Sequence, residues 1–120
     1  NFVEVKNSSF SANAKANHLS YIGDATVGKH TNVGAGTVFC NFDGLNKNKT
    51  VIGDKVFVGS NSSLIAPIEI ESEAVIAAGS VINCDVPAKS LAISRSTQKN
   101  KIGLGKKIMM KLALLHDKLK

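Results

Sequence analysis

Between His18 and Lys47 the chain gathers groups that can accept a proton, direct a hydrogen bond or attract an anion. His18 is the first histidine, and a neutral imidazole can accept a proton near pH 7 because its reference pKa is about 6.5. Tyr21 is the only tyrosine and brings a phenolic hydroxyl. The stretch ends in an Asn-rich loop that carries Lys47. From spacing alone His18 reads first as a surface or core histidine, so its chemistry depends on what surrounds it. His18, His30 and His116 would be the material of a three-His zinc centre. They share no phase of the repeat described below, and His116 lies in the tail, so no metal site is read. Cys40 and Cys84 belong to no CxxC pair, which argues against a disulfide framework and a thiolate zinc site.

The elements that must position these groups follow from a beat of six residues. Ile52, Val58, Leu64, Ile70, Ile76 and Ile82 recur at every sixth place without a slip. Val27, Val33 and Phe39 form a second frame, and Phe10, Ala16 and Ile22 a third. Gly follows the aliphatic residue at Gly23, Gly28, Gly34, Gly53 and Gly59. Such a period fits neither a helix nor a simple alternating strand. It fits an all-β coil of short flat strands joined by tight corners, with one aliphatic side chain per side pointing inward. Three hexapeptides would close a triangular turn, and stacked turns leave no free edge along the solenoid. The competing reading is an irregular β-sandwich. The step from Phe39 to Ile52 breaks the beat, and the residues between Asn41 and Lys49 are turn formers and lysines. They predict a loop extruded from the solenoid, where function tends to sit.

The totals agree. One domain is expected from 120 residues. The chain is 43% hydrophobic but only 5% aromatic, with no Trp, a balance that suits short stacked strands. The net charge of +6 is carried by residues 96–120, which hold seven Lys and one Asp, so the rest sums to zero. A neutral body with a basic, aromatic-free tail does not describe a nucleic-acid-binding fold. No apolar run approaches transmembrane length and no signal-peptide pattern opens the chain, which points to the cytoplasm.

Residues 1–95 are expected to form the solenoid and 96–120 a separate basic tail. Pro87 fits a strand terminus, and Ser90 to Ser94 reads as one last apolar piece. Gly103 and Gly105 should introduce a helix whose Ile108, Leu112, Leu115 and Leu119 form one apolar stripe. The favoured expectation is packing on the solenoid or on a neighbouring subunit. Contact with a membrane surface is the alternative, disfavoured by a narrow stripe without Trp or Phe. The start at Asn1-Phe2-Val3 reads as mid-coil, so that another segment or a partner is expected to cover that end.

NFVEVK, NHLSYIGDATVG, NVGAGTVFCNFDGLNK, IGDKVFVGSNSSLIAPI, IAAGSVI and LAISR together resemble the C-terminal domain of bacterial bifunctional N-acetylglucosamine-1-phosphate uridyltransferases / glucosamine-1-phosphate acetyltransferases. The resemblance covers about residues 1–98. It lacks the family's nucleotidyltransferase half and the start of its β-helix, which contributes an Arg to the sugar-phosphate pocket. It implies that the coil is left-handed, against the usual crossover rule. It also implies a homotrimer with sites between subunits and acetyl transfer from acetyl-CoA to the amine of glucosamine-1-phosphate, a step toward UDP-N-acetylglucosamine and peptidoglycan precursors. No metal is needed for that reaction.

The resemblance assigns His18 as general base. It places Lys6, Tyr21 and Asn32 around the sugar phosphate and Asn41 between sugar and acetyl group. Ala35, Ser60 and Ala78 fall along the acetyl-CoA groove, the two alanines through small size and backbone amides. Phe42 stands where the family usually has Tyr, keeping the ring and losing the hydroxyl. Lys47 corresponds to a lysine that reaches a neighbouring subunit's site, and Arg95 to an arginine near the CoA phosphates. The alternative is a truncated CoA-binding or structural solenoid without turnover.

Overall fold

The computed structural model describes residues 3–119. Strands fall into three parallel sheets. Sheet A holds β1 (Glu4–Lys6), β4 (Tyr21–Gly23), β7 (Val38–Cys40), β10 (Ser63–Ile65) and β13 (Val81–Ile82). Sheet B holds β2 (Ser9–Phe10), β5 (Ala25–Val27), β8 (Thr50–Ile52) and β11 (Ile68–Ile70), and Val86 adds a parallel bridge to Ile70. Sheet C holds β3 (Lys15–Ala16), β6 (Asn32–Val33), β9 (Phe57–Val58), β12 (Val75–Ile76) and β14 (Leu91–Ala92). Apart from β12 with β14, each pairing joins strands three places apart along the chain, the winding of the expected left-handed parallel β-helix.

The aliphatic beat is what fills it. Val27, Val33, Phe39, Val58, Leu64 and Ile70 are fully buried in one continuous core, with Ile22, Ile52, Ile76 and Ile82 beside them. Each such side chain contributes about 1.5–3 kcal/mol by leaving water. Phe10 and Ala16, in the first coil, are only partly buried. The bare edge expected at Asn1 and Phe2 lies outside the described residues.

The coils are not uniform triads of hexapeptides. Val5 pairs with Ile22, Phe39 with Leu64, and Leu64 with Ile82. The early coils are therefore 17 residues long, the loop-bearing one 25 and the last one 18. The A-to-B corner is one residue shorter in the early coils, which explains the change of frame between Ile22 and Val27. Corners turn through left-handed residues at regular places, among them Asn13, Leu19, His30, Gly36, Asn61 and Gly79. Asn and Gly adopt this geometry readily, whereas Leu19 does so at a cost of about 1–2 kcal/mol.

The helix α1 (Leu104–Lys118) forms where the apolar stripe predicts. Gly103 is its left-handed cap, but Gly105 lies inside the first turn rather than ahead of it. Packing on the solenoid of the same chain is not found. Every described residue from Ser96 onward is exposed, Ile108, Leu112, Leu115 and Leu119 included. No helix among the described residues is long and apolar enough to cross a membrane.

Candidate functional site

The assigned residues gather at two corners of the prism, on either side of sheet A. At the C-to-A corner the register of β3, β6, β9 and β12 stacks His18, Ala35, Ser60 and Ala78 in one column, one residue per coil. Backbone bonds tie the column together. Gly36 N–H donates to the His18 carbonyl at 2.9 Å, Asn61 N–H to Ala35 at 2.8 Å and Gly79 N–H to Ser60 at 2.8 Å. The Arg95 guanidinium closes the foot by donating to the Ala78 carbonyl at 2.5 Å. His18, at the head, is exposed.

Two features leave this column open to an extended ligand. Among the described residues no acceptor takes the backbone N–H of Ala35, Ser60 or Ala78, so three donors repeat along the corner. The glycines beside them keep those donors uncovered. A Cβ on Gly34 would sit 2.6 Å from the Ser60 amide nitrogen, and one on Gly59 would run into the Ala78 amide. Beneath the column lies a row that sequence reasoning missed. Ser20, Thr37, Ser62 and Ser80 are buried, and their hydroxyls stitch adjacent coils, with Ser20 donating to Gly34 O at 3.1 Å and Ser62 to Ala77 O at 3.3 Å. Small hydroxylated residues recurring two places after the column positions were the available signal.

The A-to-B corner holds the second group. Asn7, Asp24 and Asn41 occupy one register position in three successive coils, as the pairings Lys6 with Gly23 and Tyr21 with Val38 require. The Asp24 carboxylate accepts from Asn7 Nδ2 at 2.6 Å and from Asn41 Nδ2 at 2.7 Å. Asn41 Nδ2 also donates to the Tyr21 hydroxyl at 3.3 Å. Those two amide donors, together with the positive charges of Lys47 and Lys6, hold the Asp24 carboxyl below its ordinary value of 3.8. Asp24 and Asn41 are buried despite their polarity, which is tolerable because their hydrogen bonds are made. Gly23 is the floor of the cluster. A Cβ there would stand 2.5 Å from both Asn41 Nδ2 and the Tyr21 hydroxyl.

Lys6, Tyr21, Asn41 and Lys47 are thus brought together around Asp24, a residue absent from the sequence-derived set. The loop that carries Lys47 is organised by Asp43, whose carboxylate accepts from Asn46 N–H at 2.6 Å and Leu45 N–H at 2.8 Å. Phe42 bridges to Lys47 across the loop and remains exposed. Asn32 stands apart. It sits half-buried on sheet C, between Lys15 and Phe57. His30 turns the B-to-C corner rather than the corner of His18.

Residues 49–84 match the hexapeptide repeat of succinyl-transferase. The chain is 60% identical to the bifunctional protein GlmU of Pseudothermotoga lettingae over 85% of its own length and 23% of that relative. It is 57% identical to GlmU of Zymomonas mobilis over 89% of its length and 24% of that relative. The chain therefore spans about a quarter of these relatives and corresponds to their C-terminal region. Among solved structures, serine acetyltransferase (CysE) from Neisseria gonorrhoeae superposes with a TM-score of 0.64 at 26% identity, over 77% of this chain and 39% of that one. Perosamine N-acetyltransferase from Caulobacter crescentus, solved with CoA and GDP-perosamine, shares the fold at a TM-score of 0.56 and 17% identity, over 82% of this chain and 51% of that one.

Proposed function

We propose that this chain transfers acetyl from acetyl-CoA to the amine of glucosamine-1-phosphate. The observation that carries the reading is the column that runs from the His18 imidazole past three open backbone N–H groups to the Arg95 guanidinium. The open donors suit the carbonyls of an extended thioester-bearing arm, and the guanidinium suits phosphate at its far end. The relatives named GlmU and the acetyltransferase folds support the same reading.

The amine nitrogen attacks the thioester carbonyl while His18 takes its proton, a C–N bond forms, and the C–S bond breaks to release CoA, which recovers the proton as its thiol. Lys6 and Tyr21, with Lys47 from a loop, hold the sugar phosphate near Asn41. Asn32 lies on another face, so a pocket that uses both faces is completed by a second copy, in a trimer with sites at the seams. The solenoid over 1–95 is the catalytic unit, 96–120 is an appended tail, and a cytoplasmic location fits the substrates.

The test is incubation with acetyl-CoA and glucosamine-1-phosphate, reading free thiol and product mass together. One thiol per N-acetylated sugar phosphate is expected. Tight CoA binding with no product on amino-sugar phosphates would replace this reading with a CoA-binding solenoid.

A further inference from the structure

Asp24 has the geometry of a part built for one purpose. It is buried at a tight corner, its backbone is left-handed, and both carboxylate oxygens are taken by side-chain amides of the coils on either side. An ionised carboxylate can only accept. It therefore forces the NH2 end of Asn41, and not the carbonyl end, to face inward. The second proton of that NH2 group goes to the Tyr21 hydroxyl. With both donors spent, the Asn41 side chain has only its Oδ1 to offer outward.

We infer that Asp24 is a positioning residue that locks the Asn41 amide in one orientation, so that the site presents an acceptor oxygen to the N–H of an incoming amine. The inference rests on the proposed function for the identity of that amine, but the lock itself does not. An acceptor aimed at the nucleophile orients its lone pair for attack and selects an amine over groups that cannot donate. The Asn7 amide on the other oxygen and the Lys6 and Lys47 charges nearby keep Asp24 ionised, which is the condition for the lock.

The test compares wild type with Asp24→Asn, a change of nearly equal size whose new residue also tolerates left-handed backbone. Two readouts are taken: side-chain amide resonances of Asn41, and kcat and KM with acetyl-CoA and glucosamine-1-phosphate. The lock predicts two well-separated, exchange-protected Asn41 amide protons in wild type that collapse toward solvent-like values in the variant. It predicts a fall in kcat of about tenfold or more, an unchanged KM for acetyl-CoA, and a melting temperature lowered at neutral pH by the lost carboxylate stabilisation while the variant stays folded. Asn41 resonances insensitive to Asp24→Asn would overturn the lock, and wild-type kcat in the variant would overturn its role in the reaction. If wild type fails to acetylate any amino-sugar phosphate, the proposed acceptor is wrong while the resonances still decide the lock.

Discussion

Replacing Gly23 by Ala should disable the site while leaving the solenoid standing. The new methyl would lie 2.5 Å from Asn41 Nδ2, 2.5 Å from the Tyr21 hydroxyl and 2.9 Å from its ring. Ordinary contact begins near 3.4 Å, so both side chains must retreat by about 1 Å. The Asn41–Tyr21 bond is already 3.3 Å long and does not survive that retreat. A displacement of about 1 Å at a reacting centre costs on the order of 100-fold in rate. The atoms that move are the ends of side chains, so the stability cost stays near 1 kcal/mol, in part offset by the Gly to Ala gain in a strand. Gly28→Ala, at the B-to-C corner away from both clusters, is the control, because its methyl would run into the backbone carbonyl of Gly53. Overpacking against atoms that cannot move costs about 1–3 kcal/mol. Thiol release and thermal melts on both variants separate the cases. Full activity in Gly23→Ala would show that Tyr21 and Asn41 do not form the substrate pocket.

Three further outcomes follow from the same structure. The Thr50 hydroxyl is buried without a hydrogen-bond partner among the described residues, so Thr50→Val should raise stability by about 1 kcal/mol in denaturant titrations. The folded-state pKa of Asp24 lies below its unfolded value near 3.8, so its stabilisation is complete above that pH and is lost as pH falls through the folded value. Melts between about pH 5 and pH 2 should therefore drop more steeply for wild type than for Asp24→Asn. Because nothing in α1 is buried, removing residues 99–120 should change the unfolding free energy of the chain by no more than about 0.5 kcal/mol.

The solenoid was legible because burial and period coincide: each residue on the beat from Ile22 to Ile82 points inward. Within the proposed site, His18, Tyr21 and Asn41 could be named from the sequence because the resemblance assigns them and their residue types carry chemistry. Asp24 was not, although Asn7, Asp24 and Asn41 stand 17 apart, the coil length that the pairings reveal. A beat of six hides that spacing, since the shorter A-to-B corner appears only when strands are paired. The buried row of Ser20, Thr37, Ser62 and Ser80 escaped for a related reason, because small hydroxyls in a corner look like turn formers until their partners are known. The stripe on α1 predicted a helix correctly, but a stripe states what a helix can bury and not what covers it.

The claim that His18 is the proton acceptor at the head of the column is tested most directly by the rate of thiol release from acetyl-CoA with glucosamine-1-phosphate, in wild type and in His18→Ala. His18 is exposed, so its loss should leave the melt unchanged and lower kcat by about 100-fold to 10,000-fold. Equal rates in the two proteins would contradict the account.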